Sequence, residues 1–315
     1  MTEHYPRIRF HQEFYGENFL RVRDSISICF YMKRPHVDVI RGVLRSLDVY
    51  HQAINPRKLG WFVGYDGDWH ELDEAHQQTI RTTLLGSQGG YCFFSQEPDH
   101  VTGYEFCYRG LRRSEVPEVP QDQENICAVF FWLSTEYLEA HGPAHVRALT
   151  LELAAGLPFN SGHAGLSFQY PEDSLQIAPP VHELCRRYPG FDMPMTSDLP
   201  LNLGTRIKGV HWMNFLGPPV LGQLGGVEGL RARLRSPGTT VEPLGNERAV
   251  VTLGEWPEAG DLEQGHTLPA YRELARVMEP WLYSLPRGVW RSFTKEDMSR
   301  WDRRFLDPQE PGNQS

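Results

Sequence analysis

The sequence predicts an α+β protein in which helices pack against largely antiparallel sheets. Three observations lead there. Short β-branched and aromatic runs recur along the 315 residues, several of them as neighbouring pairs around a turn. Between them lie longer stretches with apolar residues at helical spacing. Hydrophobic residues make up 40% of the chain and aromatics 12%, with eight Trp, so a large core can form without disulfides. Length and element order allow two similar α/β units side by side, an N-terminal one over 1–120 and a C-terminal one over 121–315, or one continuous domain. No residue-level repeat marks a duplication.

Taken in order, "RDSISICFYM" (23–32) is a buried strand by composition. After Pro35, Val37, Ile40, Val43, Leu44 and Leu47 trace one face of a helix over "HVDVIRGVLRSLDVYHQAI". "GWFVGYDGDWHEL" (60–72) is a short strand that turns at Asp66-Gly67. "DEAHQQTIRTTLL" (73–85) opens with acids, which favour a helix N-terminus. "GYCFFSQ" and "GYEFCYRG" read as paired strands. Residues 112–124, "RRSEVPEVPQDQE", read as a proline-bearing loop between the halves. "NICAVFFWLS" is a strand, and "TEYLEAHGPAHVRALTLELAAGL" a helix interrupted at Gly142-Pro143. "SGHAGLSFQY" is a strand and "VHELCRRYPG" a short helix closed by proline and glycine. "IKGVHWMNFL" is predicted as a strand and "PPVLGQLGGVEGLRARL" as the helix after it. "TTVEPLG" and "RAVVTLG" form a hairpin, "TLPAYRELARVMEPWLYSL" a helix with Pro269 in its first turn, and "EDMSRWDRRFL" a last helical turn or two.

Formal charge is −9 and no segment is a basic stripe, which argues against a nucleic-acid binder and suits a basic protein partner. The first 20 residues carry acids and no long apolar core, so they read as neither signal peptide nor anchor. The longest apolar run, "ICAVFFWL", is too short to span a bilayer, and the expected location is the cytoplasm without membrane contact. Five Cys, at 29, 92, 107, 127 and 185, sit in or beside apolar runs without a C-x-x-C pair. They read as buried thiols in a reducing compartment.

Chemical constellations are sparse. The stretch "GPPVLGQLGG" (217–226) has the glycines of a phosphate loop, but prolines at 218 and 219 remove donors and no Lys or Ser/Thr follows in register. The structural reading, a proline-started helix with close-packing glycines, is preferred. Neither nucleotide nor other cofactor is expected. Thirteen His are scattered without ligand spacing: His141 and His145 straddle Gly142-Pro143, and His70 and His76 lack the H-e-x-x-H pattern. No metal site is expected from them. Asp66 and Asp68 lack the further ligands of a calcium loop. No G-x-S-x-G occurs, Ser161 lies near His163 only in sequence, and no Cys has a basic polar setting. No catalytic residue is assigned.

Two acid clusters interleave with Trp: "DGDWHELDE" (66–74), with five acids, and "EWPEAGDLE" (255–263), with four. Either is a solvated loop beside a core Trp or an acidic surface with an aromatic anchor for a basic protein. The partner-binding residues expected from the first are Asp66, Asp68, Trp69, Glu71, Asp73 and Glu74.

Three segments carry a resemblance: "YPGFDM" (188–193), "LGTRIKGVHWMNFLGPPVLGQLGG" (203–226), with Trp212 before "FLGPP" and a Leu-Gly-Gly, and "RWDRRFL", with Trp301 and Phe305. From about 180 to 305 the chain resembles a family of bacterial immunity proteins of type VI secretion, named for antidotes to VRR-type nuclease toxins. The N-terminal half matches it in order of elements, with "SISICFYM" as the first strand. The resemblance implies a non-enzymatic antidote that binds a cognate toxin and occludes its active site or substrate channel. It carries no catalytic residues over, and its motif reads as a fold signature rather than a toxin contact. Two rivals remain: a hydrolase with a His/Asp/Ser site assembled in space, and a secretion-system scaffold.

Overall fold

One long strand organises the molecule. In the computed structural model, which describes residues 4–14, 16–111, 124–171, 178–193, 196–197, 199–284 and 293–308, that strand runs from Glu17 to Met32. The described elements are β1 (Arg9–Phe14), β2 (Glu17–Met32), α1 (His36–Ile54), β3 (Trp61–Val63), β4 (Trp69–Glu71), α2 (Glu74–Gly86), β5 (Gly90–Ser95) and β6 (Glu105–Gly110). They continue with β7 (Cys127–Ser134), α3 (Thr135–His141), α4 (Pro143–Ala154), β8 (Ser161–Gln169), α5 (Ala178–Arg187), α6 (Leu199–Asn202) and β9 (Met213–Leu216). Last come α7 (Val220–Gln223), α8 (Gly226–Arg233), β10 (Thr239–Pro243), β11 (Ala249–Leu253), α9 (Pro269–Met278) and α10 (Lys295–Asp302).

The strands form one 11-stranded antiparallel sheet in the order β10-β11-β9-β8-β2-β7-β6-β5-β3-β4, with β1 paired to β2. The α+β class read from the sequence therefore holds. β2 lies at the middle, with β7 on one side and β8 on the other, so strands from both parts of the chain join one sheet.

Alternation along β2 separates two faces. Ile26, Ile28, Phe30 and Met32 pack with Val39, Val43, Leu47 and Tyr50 of α1 in the main core. Ser25, Ser27, Cys29 and Tyr31 point to the opposite face, where Leu199, Leu203 and Tyr283 cover part of it. A second core joins β9 and β11 to α8 and α9 through Leu216, Val251, Leu230 and Leu274.

Several elements depart from the sequence reading. The strand expected over 207–216 begins only at Met213, because the Asn214 side chain takes both backbone groups of His211, accepting from its N–H at 2.9 Å and donating to its carbonyl at 2.7 Å. Ile207 instead pairs with Leu282. The single helix expected over 218–234 is two, α7 and α8, because Gly225 sits between them at φ 81°, a left-handed conformation that ends the first. The helix expected after Thr267 stops at Met278 and continues as a 3₁₀ turn over Glu279–Trp281. β1 and the first six residues of β2 carry no periodic apolar signal, and the sequence reading does not predict them as strands. The loop expected over 112–124 lies, except for Glu124, outside the described residues. Among the described residues no helix is long and apolar enough to cross a membrane.

Candidate functional site

The acidic stretch 66–74 is the tip and return of a β-hairpin. Gly64 donates to Asp68 O at 2.9 Å and Gly67 to Gly64 O at 3.1 Å, which closes the turn joining β3 to β4. Gly67 takes φ 85°, a conformation that glycine adopts without strain. Asp66, Asp68, Glu71, Asp73 and Glu74 are all exposed. Two of them hold local partners. A hydrogen bond from His70, at 3.0 Å, holds the Asp66 carboxyl below the usual range. Asp73 caps α2, accepting from the His76 backbone at 2.7 Å, and that bond lowers it likewise.

Trp69 is half-buried, its ring 5.9 Å from Phe93. The aromatic that stands free is Tyr65, fully exposed at the turn beside Asp66. Sequence reasoning passed it over in favour of the larger Trp, although a Tyr directly before an Asp-Gly turn leaves the strand ladder and has no neighbour to cover it. The other acid cluster is structural. Trp256 stacks on His4 at 5.2 Å and packs on the main core, and Asp261 caps a 3₁₀ turn while paired with Arg187 at 2.8 Å.

Beside this hairpin the described residues line a cleft of about 390 Å³ on the same sheet face. Strand register places one wall: Trp69 opposite Val63, Tyr91 opposite Arg109, Phe93 opposite Cys107, and Glu105 opposite Trp132. Arg21, Asp99 and His100 line it from one side and Gln169 and Tyr170 from another. Arg109 lies over the Tyr91 ring at 4.6 Å and donates to Ser197 Oγ at 3.0 Å. Trp132 Nε1 and both amide atoms of Gln169 are buried without a hydrogen-bond partner, and so are Arg21 Nε and Arg109 Nε.

A different polar cluster lies on the same sheet face, where Asp192 and His211 meet His163 of β8. His163, Asp192 and His211 place ligand-type atoms within 4.8 Å of one another, all buried. Sequence spacing gave no hint of it, because the three come from β8 and from two loops. Asp192 is held there by backbone pairing to β8, Phe168 N donating to Asp192 O at 3.0 Å and Asp192 N to Leu166 O at 2.8 Å. The Lys208 ammonium donates to Asp192 Oδ2 and, at 2.7 Å, to Met193 O. His163 Nε2 and His211 Nε2 each lie 3.4 Å from the same carboxylate oxygen.

These residues do not fit a shared metal as they stand. The two imidazoles stack face to face, 3.7 Å between centroids and 13° from parallel, so their in-plane lone pairs run side by side instead of converging. Lys208 already supplies the cation that Asp192 needs. Burial pushes His163 down to about 3, helped by His211, and burial also lowers His211, so both rings are neutral at physiological pH. Burial opposes the charge on Asp192, yet Lys208 and the two histidines hold its carboxyl well below the usual range.

The glycine-proline stretch is packing. Gly217 N donates to Asn160 O at 2.9 Å, and a Cβ on Gly217 would stand 2.6 Å from Phe159 O. Asn160 Nδ2 donates to Pro218 O at 2.7 Å. Ser161 is buried and donates to Arg206 O, which leaves it no path to a substrate. All five cysteines are buried free thiols, and burial pushes Cys29 and Cys92 up to about 12 and Cys127 to about 11.

Comparison with known proteins completes the description. The family model described as "Type VI immunity for VRR-NUC" matches residues 42–305. A solved structure, the Pseudomonas aeruginosa T6SS protein PA0821, superposes with a TM-score of 0.73 over 95% of this chain and 87% of that one, at 18% identity, which establishes a shared fold. No curated protein matches the sequence.

Proposed function

The chain belongs to the type VI immunity family for VRR-type nucleases, and on that premise we propose that it binds a cognate nuclease toxin and neutralises it by covering the active site or the substrate channel. The match across residues 42–305 carries the reading. The hairpin supports a contact surface. Tyr65 projects fully into solvent, flanked by Asp66 and Asp68 and backed by Glu71, Asp73 and Glu74. Exposed aromatics set among charges make anchors, and acidic rims attract the basic surface that a nuclease keeps for its substrate. Trp69 supports the hairpin from below and forms one wall of the neighbouring cleft.

In this reading the protein works in the cytoplasm by stoichiometric binding and is not an enzyme. The hydrolase alternative loses its best residues, since Ser161, His163 and Asp192 are all buried. The experiment is direct. A purified VRR-type nuclease from the same genome is mixed with the protein, and DNA cleavage and complex formation are followed together. Stoichiometric loss of cleavage with a co-eluting complex is expected. Cleavage that continues at tenfold excess of the protein would sink the proposal.

A further inference from the structure

The cleft has a polarity of its own. Trp132 and Gln169 are 2% and 1% exposed, and neither the indole N–H nor the carboxamide has a partner. Buried polar groups are nearly always paired, and each one left alone is destabilising. Adding Arg21 Nε and Arg109 Nε, the buried unpaired atoms of the lining are four donor nitrogens against one acceptor, Gln169 Oε1, while the carboxylates of Asp99 and Glu105 lie elsewhere in the lining. Such an excess calls for a group rich in carbonyl oxygen.

Formal charge narrows the choice. Arg21 and Arg109 are balanced by Asp99 and Glu105, so those four side chains carry no net charge and give an anion no advantage. The walls are aromatic, with Trp69, Tyr91 and Phe93 along one side, which favours a flat group. A cleft of about 390 Å³ holds a short peptide segment, and it opens beside the acidic hairpin.

Resting on the immunity reading, we propose that this cleft receives a loop of the toxin that presents a neutral planar carbonyl group, a peptide unit or an Asn/Gln carboxamide, to Trp132 Nε1 and the Gln169 amide. Both groups are closed to water in the free protein, so entry of the loop is coupled to displacement of a lining side chain. The hairpin makes the first encounter and the cleft fixes register.

Two substitutions test it against the purified VRR-type nuclease by binding kinetics, each beside a melting curve. Gln169→Leu removes an unpaired amide, so its melting temperature stays or rises while toxin affinity falls about 10- to 100-fold. Trp132→Phe deletes the indole N–H but keeps a ring, and it lowers affinity about 5- to 10-fold, mostly through dissociation. If both folded variants bind within twofold of wild type while Tyr65→Ala still weakens the complex, the cleft is not part of the interface and this inference is wrong. If the wild-type protein fails to bind the nuclease at all, the immunity reading itself falls, which is a different result.

Discussion

The buried cluster around Asp192 and the cleft around Trp132 occupy the same face of one sheet, yet they treat polar groups in opposite ways. In the first, an aspartate and a lysine neutralise each other, two histidines are kept uncharged, and backbone pairing ties Asp192 to β8. In the second, Trp132 and Gln169 have no hydrogen-bond partner beside a cleft. The first region balances its charges internally and is closed within the fold, although His163 Nε2 and both ring nitrogens of His211 have no hydrogen-bond partner. The second leaves its unpaired groups beside a cleft. The segments that carry the family resemblance supply Asp192, Lys208 and His211 to the first region, and Arg304 nearby lies over Trp301 at 3.9 Å. The family-like motif therefore contributes to the architecture of the first region.

Breaking the first region has the largest expected effect. Asp192→Asn strands Lys208, itself buried, and removal of one partner from a buried pair costs about 3–5 kcal/mol. Denaturant midpoints measure it, and a loss below about 1 kcal/mol would mean that the pair contributes no more than a surface bridge does. Acid acts on the same region. His163 and His211 are neutral in the fold, whereas the unfolded chain takes up their protons near pH 6.5. The unfolded state then binds more protons, so stability falls as pH drops below about 6.5, down to about 3 for His163 and over a window of the same sign for His211, by at most about 1.4 kcal/mol per pH unit for each ring. Asp192 adds its own loss only below about pH 4, because its folded value lies under the ordinary one. Urea titrations at pH 7, 5.5 and 4.5 check the slope, and His163→Gln flattens it.

Changes in the hairpin beside the second region are smaller and fall on binding. Tyr65→Ala lowers toxin affinity roughly 30-fold, about 2 kcal/mol, without moving the melting temperature, since Tyr65 touches no core. Trp69→Ala weakens binding less and costs some stability as well, because its ring packs near Phe93. Reversing Asp68 and Glu71 to Lys slows association a few-fold and reduces its salt dependence, which stopped-flow mixing at two ionic strengths resolves. Zinc added to the apo protein leaves the melting temperature unchanged, as expected from stacked rings that cannot share an ion.

Much of the fold was legible because period and composition are local. α1 runs over His36–Ile54 as its apolar spacing predicts, and the paired strands β5 and β6 follow their aromatic runs. What failed was set by contacts distant in sequence or by one side chain. Asn214 bends the chain before β9, and Gly225 splits a helix that periodicity alone would continue. The acidic hairpin was readable as an exposed turn, but exposure of Tyr65 over Trp69 depends on the Trp69 ring meeting Phe93 across the sheet while Tyr65 stands in the turn. The two polar regions were invisible. Gln169 and Trp132 are ordinary residues in their strands, and only the meeting of β2, β7 and β8 leaves them unpaired beside a cleft.

One measurement bears most directly on the division between the two regions. The VRR-type nuclease is titrated by calorimetry with wild type, Tyr65→Ala and His163→Gln, each confirmed folded. Tight 1:1 binding by wild type and His163→Gln, with clear weakening in Tyr65→Ala alone, is the predicted result. Weakening by His163→Gln in a folded protein, with Tyr65→Ala unaffected, would contradict it and place the toxin contact on the motif-bearing side.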